Sequence, residues 1–246
     1  MDTIVPLELA IFLIGSLAAA FVTALAGFAF GLIAAAIWLY ALTPTQTTTL
    51  IVAYGLLVQG YAVWKLRHAL KASRLIPLIL GSAVGVPFGI VLLRWVSPIQ
   101  LRMAIGVLLI LFSLYNLLRP ALPQVKRGGQ AADAGAGFLN GVVGGSTGLA
   151  GIVIVIWSSM RGWQRDEQRA AFQPTGVATF LITLVALGGA GIITAESLKL
   201  FALGLPALAV GTWFGWQLYG KVDEASFRKG VLLLLLISGV ALVVSR

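Results

Sequence analysis

The sequence predicts an all-α polytopic membrane protein built from two homologous halves. Three observations carry this prediction. The 246 residues are 59% hydrophobic and only 10% charged, with a mean hydropathy of +1.00, whereas a soluble domain carries about 25% charged residues. The apolar residues form near-continuous runs, not segments of about ten residues with alternating polarity, which excludes an outer-membrane barrel. The basic residues fall in short clusters between those runs, as Lys and Arg do in cytoplasmic loops. The net charge of +9 is therefore no sign of nucleic-acid binding. Without cysteine there are no disulfides, thiolate metal sites or thiol catalysis. The N-terminus MDTIVPLELA carries two acids and no early base, unlike a signal peptide.

The elements follow from the apolar runs. The first, Leu9 to Leu42, has 34 residues, roughly 50 Å as one straight helix at 1.5 Å per residue. The hydrocarbon core is about 30 Å thick. The run is therefore strongly tilted, broken near Gly27, or a hairpin of two half-helices. Further runs cover about Thr48 to Trp64, Leu75 to Leu93 and Met103 to Leu118. In the third run Gly81, Gly85 and Gly89 recur at four-residue spacing, a close helix-packing face. A polar stretch, Arg119 to Asp133, divides the chain near its middle. The glycine-rich run Gly135 to Ser158 comes next, then runs at about Ala170 to Leu187, Leu198 to Tyr219 and Gly230 to Val244. The expected organisation is a first repeat over 1–118, a linker over 119–134 and a second repeat over 135–246.

Internal matches suggest the duplication. Gly85, Gly89 and Arg102 match Gly211, Gly215 and Arg228 at a constant offset of 126, and Gly27-Phe28-Ala29 aligns with Gly148-Leu149-Ala150 at 121. Such repeats are typical of secondary transporters. Charge then selects their orientation. Four full spans per half, giving parallel repeats, would divide the Lys and Arg 9 against 8, with no bias. If the first run of each half is instead a re-entrant segment followed by three spans, the repeats are inverted. One side then collects 13 basic residues and the other 4. Cytoplasmic loops carry the excess, so the inverted arrangement is expected. Both termini then lie outside, and Lys71, Lys126, Arg165 and Lys221 face the cytoplasm.

The stretch Gly135 to Ser158 is the expected functional centre. It holds Gly141, Gly144, Gly145, Gly148 and Gly151, with Asn140, Ser146 and Thr147 among them. Glycine costs a helix roughly 1 kcal/mol relative to alanine, so this density signals a break, very tight packing, or backbone approaching a ligand. A shorter echo runs through Gly27, Phe28, Ala29 and Gly31. A half-helix ending inside the membrane presents free N–H groups and the positive end of its dipole, a ready anion site. Ser146, Thr147 and Asn140 can add hydrogen bonds. Gln59 and Tyr54 in the second run, and Gln173, Thr175 and Thr179 in its counterpart, are polar side chains in hydrocarbon. They face either a cavity or a neighbouring helix that they glue. Thr175-Gly176 beside Pro174 is the more suggestive group. Arg102 and Arg228 near span ends suit snorkelling or the attraction of anions, and the tryptophans suit an interfacial belt.

The two glycine signatures, Gly27-Phe-Ala-Phe-Gly31-Leu-Ile-Ala and Gly144-Gly-Ser-Thr-Gly148-Leu-Ala-Gly151, resemble those of the sulfite exporter TauE/SafE family of membrane permeases. The resemblance covers nearly the whole chain. That family often has Gly where Ala29 and Ala150 stand, and Pro where Ile152 stands. The resemblance implies a bacterial cytoplasmic-membrane permease for sulfite, organosulfonates or related small anions, working by alternating access. The expected anion site lies near mid-membrane between the tips around Gly27–Gly31 and Gly144–Gly148. The partners implied are a small anionic substrate and membrane lipids, with no nucleic acid and no cofactor. A membrane structural or assembly protein without a translocation path is the alternative. An intramembrane enzyme is disfavoured: there is one His, at position 68 in a basic loop, and no acid lies in the middle of an apolar run.

Overall fold

A computed structural model describes residues 6–26, 29–66, 72–118, 125, 129–218, 221 and 223–244. Gly27, Phe28, His68, Lys71, Arg119, Lys126 and Arg127 lie outside the described residues. Those described form ten helices and no strand: α1 (Pro6–Ala26), α2 (Phe30–Trp38), α3 (Pro44–Leu66), α4 (Ala72–Trp95), α5 (Pro98–Leu118), α6 (Gly129–Thr147), α7 (Ile152–Met160), α8 (Arg165–Gly189), α9 (Ala195–Leu218) and α10 (Glu224–Val244). Both glycine-rich runs are broken. Each gives a long helix followed by one of nine residues. Nine residues rise only about 13 Å, too little to cross a bilayer.

Among the described residues six helices are long and apolar enough to cross a membrane: α1, α4, α5, α8, α9 and α10. Three of the six lie in each half of the chain. Helix α1 is included because its 21 residues contain one charge, Glu8. Helix α6 begins at Gly129, so Asp133 lies inside a helix and is buried rather than exposed in a connecting loop. The apolar side chains point outward as a lipid-facing protein requires. Ile76, Leu80, Val84, Phe88 and Val91 form an exposed stripe along α4.

The chain packs as two compact units. One comprises Met1–Ile51, Ser97–Pro120 and Thr194–Arg246; the other comprises Val52–Val96 and Ala121–Ile193. In the first unit α1 packs chiefly on α9, and α5 on α10. The glycines of α9 make the α1 contact possible: a methyl group on Gly211 or Gly215 would lie within 3.0 Å of α1 atoms, with the carbonyls of Leu17 and Phe21 among them. Gly106 and Gly239 meet reciprocally across α5 and α10, and Arg228 of α10 donates to Asn116 Oδ1 of α5 at 2.9 Å. Helix α2 folds back along α1. Trp38 Nε1 donates to the Phe12 carbonyl at 3.1 Å, and its ring covers Gly15.

In the second unit α4 and α6 form the most extensive helix pair. Gly81, Gly85 and Gly89 of α4 face the carbonyls of Ala134, Phe138 and Val142. Gly137, Gly141 and Gly145 of α6 face those of Leu78, Ser82 and Val86. A methyl group at any of the six would fall within 3.0 Å of backbone atoms. Close packing without side chains is the usual means of helix association in lipid, where burial of apolar surface gives no drive. The ascending contacts make α4 and α6 parallel. Helix α8 runs parallel to α4 as well: Arg74 pairs with Glu167 at 2.9 Å near their starts, and Arg94 donates to the Ala190 carbonyl near their ends.

Candidate functional site

The centre of the second unit is the turn between α6 and α7. Gly148 and Gly151 have φ of 74° and 104°, the left-handed region that favours glycine. These two make the break, while Gly141 and Gly145 pack on α4 and Gly144 lies against Thr179 and Ala150. The run therefore divides the roles that its composition left together: some glycines permit helix contact, others reverse the chain.

Asn140 locks the reversal. It is fully buried. Its Oδ1 accepts the Gly151 N–H at 2.7 Å, and its Nδ2 donates to Ser82 Oγ and Thr179 Oγ1, both at 3.2 Å. One side chain thus ties the start of α7 to α6, α4 and α8. Further down the hairpin, Trp157 Nε1 donates to Asp133 Oδ1 at 2.8 Å, and Arg161 Nε lies 3.6 Å from the same oxygen. Asn140 opposite Gly151 and Asp133 opposite Trp157 show α7 running antiparallel to α6. The N-terminus of α7 is consequently held inside the unit. By helix geometry the N–H groups of Ile152, Val153 and Ile154 have no intrahelical acceptor, and the positive dipole end lies with them. The buried carboxylate among the described residues, Asp133, stands at the other end of α7.

The hydroxyls around this turn fall into two sets. Ser146 Oγ donates to the Val142 carbonyl and Thr147 Oγ1 to that of Val143, each at 2.7 Å. Thr147 also accepts the Leu149 N–H at 3.2 Å. Ser82 donates to the Gly137 carbonyl at 3.0 Å and Thr179 to that of Thr175 at 2.7 Å. These protons are committed to backbone. By contrast, Thr175 Oγ1, Thr183 Oγ1 and Gln173 Oε1, all on α8, are buried with no hydrogen-bond partner.

The expected site residues are distributed as follows. Asn140, Gly144, Gly145, Ser146, Thr147 and Gly148 gather at the α6–α7 turn, and Thr175 shares the α8 face of Thr179. Gln173 lies two residues from Thr175 on a different face of α8, and Gln59 Oε1 approaches Gly176 across the α3–α8 contact. Ala29 and Gly31 belong to the other compact unit, where Ala29 caps α2 with φ of 81°. Two buried polar residues of this unit were not singled out by sequence reading, Asp133 and Thr183. Thr183 had an available signal, since it continues Thr175 and Thr179 at i+4 spacing. Asp133 had none beyond its position beside an apolar run.

A broken helix whose end is buried against polar side chains, as at the α6–α7 turn, is typical of one class, the multi-pass membrane transporters with discontinuous helices. The sequence comparison is more specific: the family model for the sulfite exporter TauE/SafE matches residues 11–242, and the chain belongs to that family. The protein is thus an integral multi-pass membrane transporter of sulfur-containing anions, in a family of transporters and not of enzymes. No curated protein and no solved structure matches the chain.

Proposed function

We propose that the chain moves sulfite or small organosulfonates across a bacterial cytoplasmic membrane by alternating access, with the anion held at the N-terminus of α7. The observation that carries this reading is the buried start of α7. Its N–H groups are fixed by Asn140 among hydroxyls of α6 and α8, with the buried carboxylate placed away from it. A pyramidal or tetrahedral sulfur oxyanion accepts several hydrogen bonds at once, and a helix N-terminus supplies parallel donors. Neutral donors also release a substrate more readily than an ion pair does.

The repeat reading gains support from the order of helix lengths. Each half has a long helix, a nine-residue helix and three long helices. The α4 glycines pack on the long arm of one hairpin and the matching α9 glycines on the long arm of the other. With each hairpin entering and leaving on one side, the repeats are inverted and both termini lie outside.

Transport is tested with purified protein in liposomes and radiolabelled sulfite, methanesulfonate and sulfate on either side. Saturable flux of sulfite or the sulfonate is expected. Absence of flux for all three, under gradients of either direction, overturns the reading. Orientation is tested separately with single cysteines at Lys71, Lys126, Arg165 and Lys221, in a chain with no native cysteine. All four should label from the cytoplasmic face, and labelling of 71 and 165 from opposite faces removes the inverted arrangement.

A further inference from the structure

We infer that Asp133 and Arg161 form a latch on the far end of α7, and that α7 is an arm which swings from it to open the anion site toward the starts of α4, α6 and α8. The inference rests on the transport reading above and adds the moving part and its fastening. On the topology proposed there, the arm gates the cytoplasmic side.

The parallel helices α4, α6 and α8 frame α7, and their contacts fall into three layers. The first is polar: Ser82, Asn140 and Thr179 meet there, with Gly151 before the start of α7. The second is apolar: Leu78, Ala136 and Ala171 pack with Ile154, which is fully buried. The third is charged: Arg74 pairs with Glu167 at 2.9 Å and Arg161 lies 3.6 Å from Asp133. The layers descend toward the helix starts, through 82, 78 and 74 on α4, 140, 136 and 133 on α6, and 179, 171 and 167 on α8. The arm runs the opposite way, from Gly151 through Ile154 to Arg161. An anion at the start of α7 is thus separated from that end by an apolar layer and an ion-pair layer. The arm contributes a residue to both, so its movement opens both.

Frame and arm are fastened differently. Helices α4 and α6 meet through six glycines set against backbone, and α4 and α8 are tied near both ends. The arm has no comparable contact: a methyl group on Gly151 would meet only Phe172, at 4.0 Å. Ser158 and Ser159 donate to the Val155 carbonyl of α7 itself. The polar ties of the arm to α6 lie at its two ends. At the start, Asn140 accepts the Gly151 N–H at 2.7 Å and serves as the pivot. At the far end, Trp157 Nε1 donates to Asp133 Oδ1 at 2.8 Å, Arg161 Nη1 donates to the Val125 carbonyl at 3.3 Å, and the Val125 N–H donates to the Met160 carbonyl at 2.8 Å. The Arg161–Asp133 contact is an ion pair without a hydrogen bond, since Arg161 Nε is buried and has no acceptor. Such a pair attracts yet can be broken, as a latch requires.

The test uses full-length protein, which has no native cysteine. Ser158→Cys places one thiol on the arm with little change of shape, at a position 0% exposed. In this parent the thiol should react slowly with a small water-soluble maleimide. Releasing the latch should speed the reaction about tenfold or more, the change in open population that about 1.4 kcal/mol corresponds to. Two releases are compared in the Ser158→Cys background. One is Arg161→Gln; the other combines it with Asp133→Asn and so removes the pair without stranding a buried charge. Arg74→Gln breaks a partly exposed pair that joins frame to frame, and should leave the rate within about threefold of the parent. An unchanged rate in the folded double variant overturns the inference. Equal acceleration by Arg74→Gln and Arg161→Gln also overturns it, since general loosening would then explain the effect. Labelling needs no substrate, so failure of the parent to move sulfite or methanesulfonate is a separate result: it removes the transport reading and leaves the latch to be decided by the thiol.

Discussion

The α1–α2 and α6–α7 hairpins have the same frame and different interiors. In both, a nine-residue arm returns along a long one and is fastened by a tryptophan, Trp38 to the Phe12 carbonyl and Trp157 to Asp133. Inside the first, Ser16 and Thr23 donate to carbonyls of their own helix, and the bonds between elements there run to backbone carbonyls, from the Trp38 indole to Phe12 and from Ser238 of α10 to Ala36. Inside the second, Asn140 bridges three helices and the turn, and Asp133 and Arg161 add charge. The contrast shows that one scaffold can serve as plain packing in one place and as a polar site in another. What differs is a few side chains whose hydrogen bonds leave their own helix.

The largest expected effect separates packing from chemistry in the second hairpin. Gly85→Val or Gly141→Val drives a side chain into the backbone of the facing helix, where neither rotamer change nor rigid shift relieves it. Overpacking typically costs about 1–3 kcal/mol, and here it splays a whole helix pair, so little folded protein should be recovered by size-exclusion chromatography. Gly135→Val on the same helix meets nothing within 4 Å and should behave as the parent. Equal tolerance at 135 and 141 would show that the helices are not in glycine contact.

Asn140→Leu comes next. It strands the Gly151 N–H and removes a donor to Ser82 and Thr179, and an unsatisfied buried group costs about 1–3 kcal/mol. A thermal midpoint lowered by several degrees and a loss of sulfite flux are expected. Ser16→Ala in the first hairpin deletes only a bond to its own helix and should shift the midpoint far less. If the two variants fall equally, the hairpins do not differ as described.

The fasteners differ in the same direction. The Trp157 indole donates to a carboxylate, worth about 1.5–3 kcal/mol, whereas Trp38 donates to a neutral carbonyl, worth about 0.5–1.5 kcal/mol. Replacing each by Phe keeps most of the ring packing. Trp157→Phe should lower the thermal midpoint more than Trp38→Phe, and Asp133→Asn should lie between them because an amide oxygen still accepts. The reverse order would remove the charge argument.

Much of this was legible before any coordinates. Breaks near Gly27 and Gly148, the glycine face of α4 and the membrane class follow from apolar runs and residue spacing. Composition does not reveal which glycine turns the chain and which packs, because both uses need the missing side chain. Gly145 and Gly148 look alike in sequence and differ only in φ and neighbours. Nor does it reveal which hydroxyls are committed. Ser146 and Thr147 sit in the most suggestive motif, yet their protons go to carbonyls one turn back, while Thr183 lies in an undistinguished run and has no partner. The substrate-binding roles expected of the turn residues rest on that distinction, which is three-dimensional.

The smallest effect concerns the two turns themselves. At the first, Ala29 holds φ of 81°, where an L side chain costs roughly 1–2 kcal/mol. Its counterpart by alignment, Ala150, is not among the described residues with positive φ, and the strained positions nearby are already glycine at 148 and 151. Ala29→Gly relieves the steric cost but adds unfolded-state entropy of about 0.5–1 kcal/mol. The net gain should lie between zero and about 1.5 kcal/mol, a rise of at most a few degrees in thermal midpoint. Ala150→Gly has no strain to relieve and should lower the midpoint slightly. Opposite signs for one substitution at two aligned positions would come directly from the left-handed residue, and the same sign at both would mean that Ala29 is not strained.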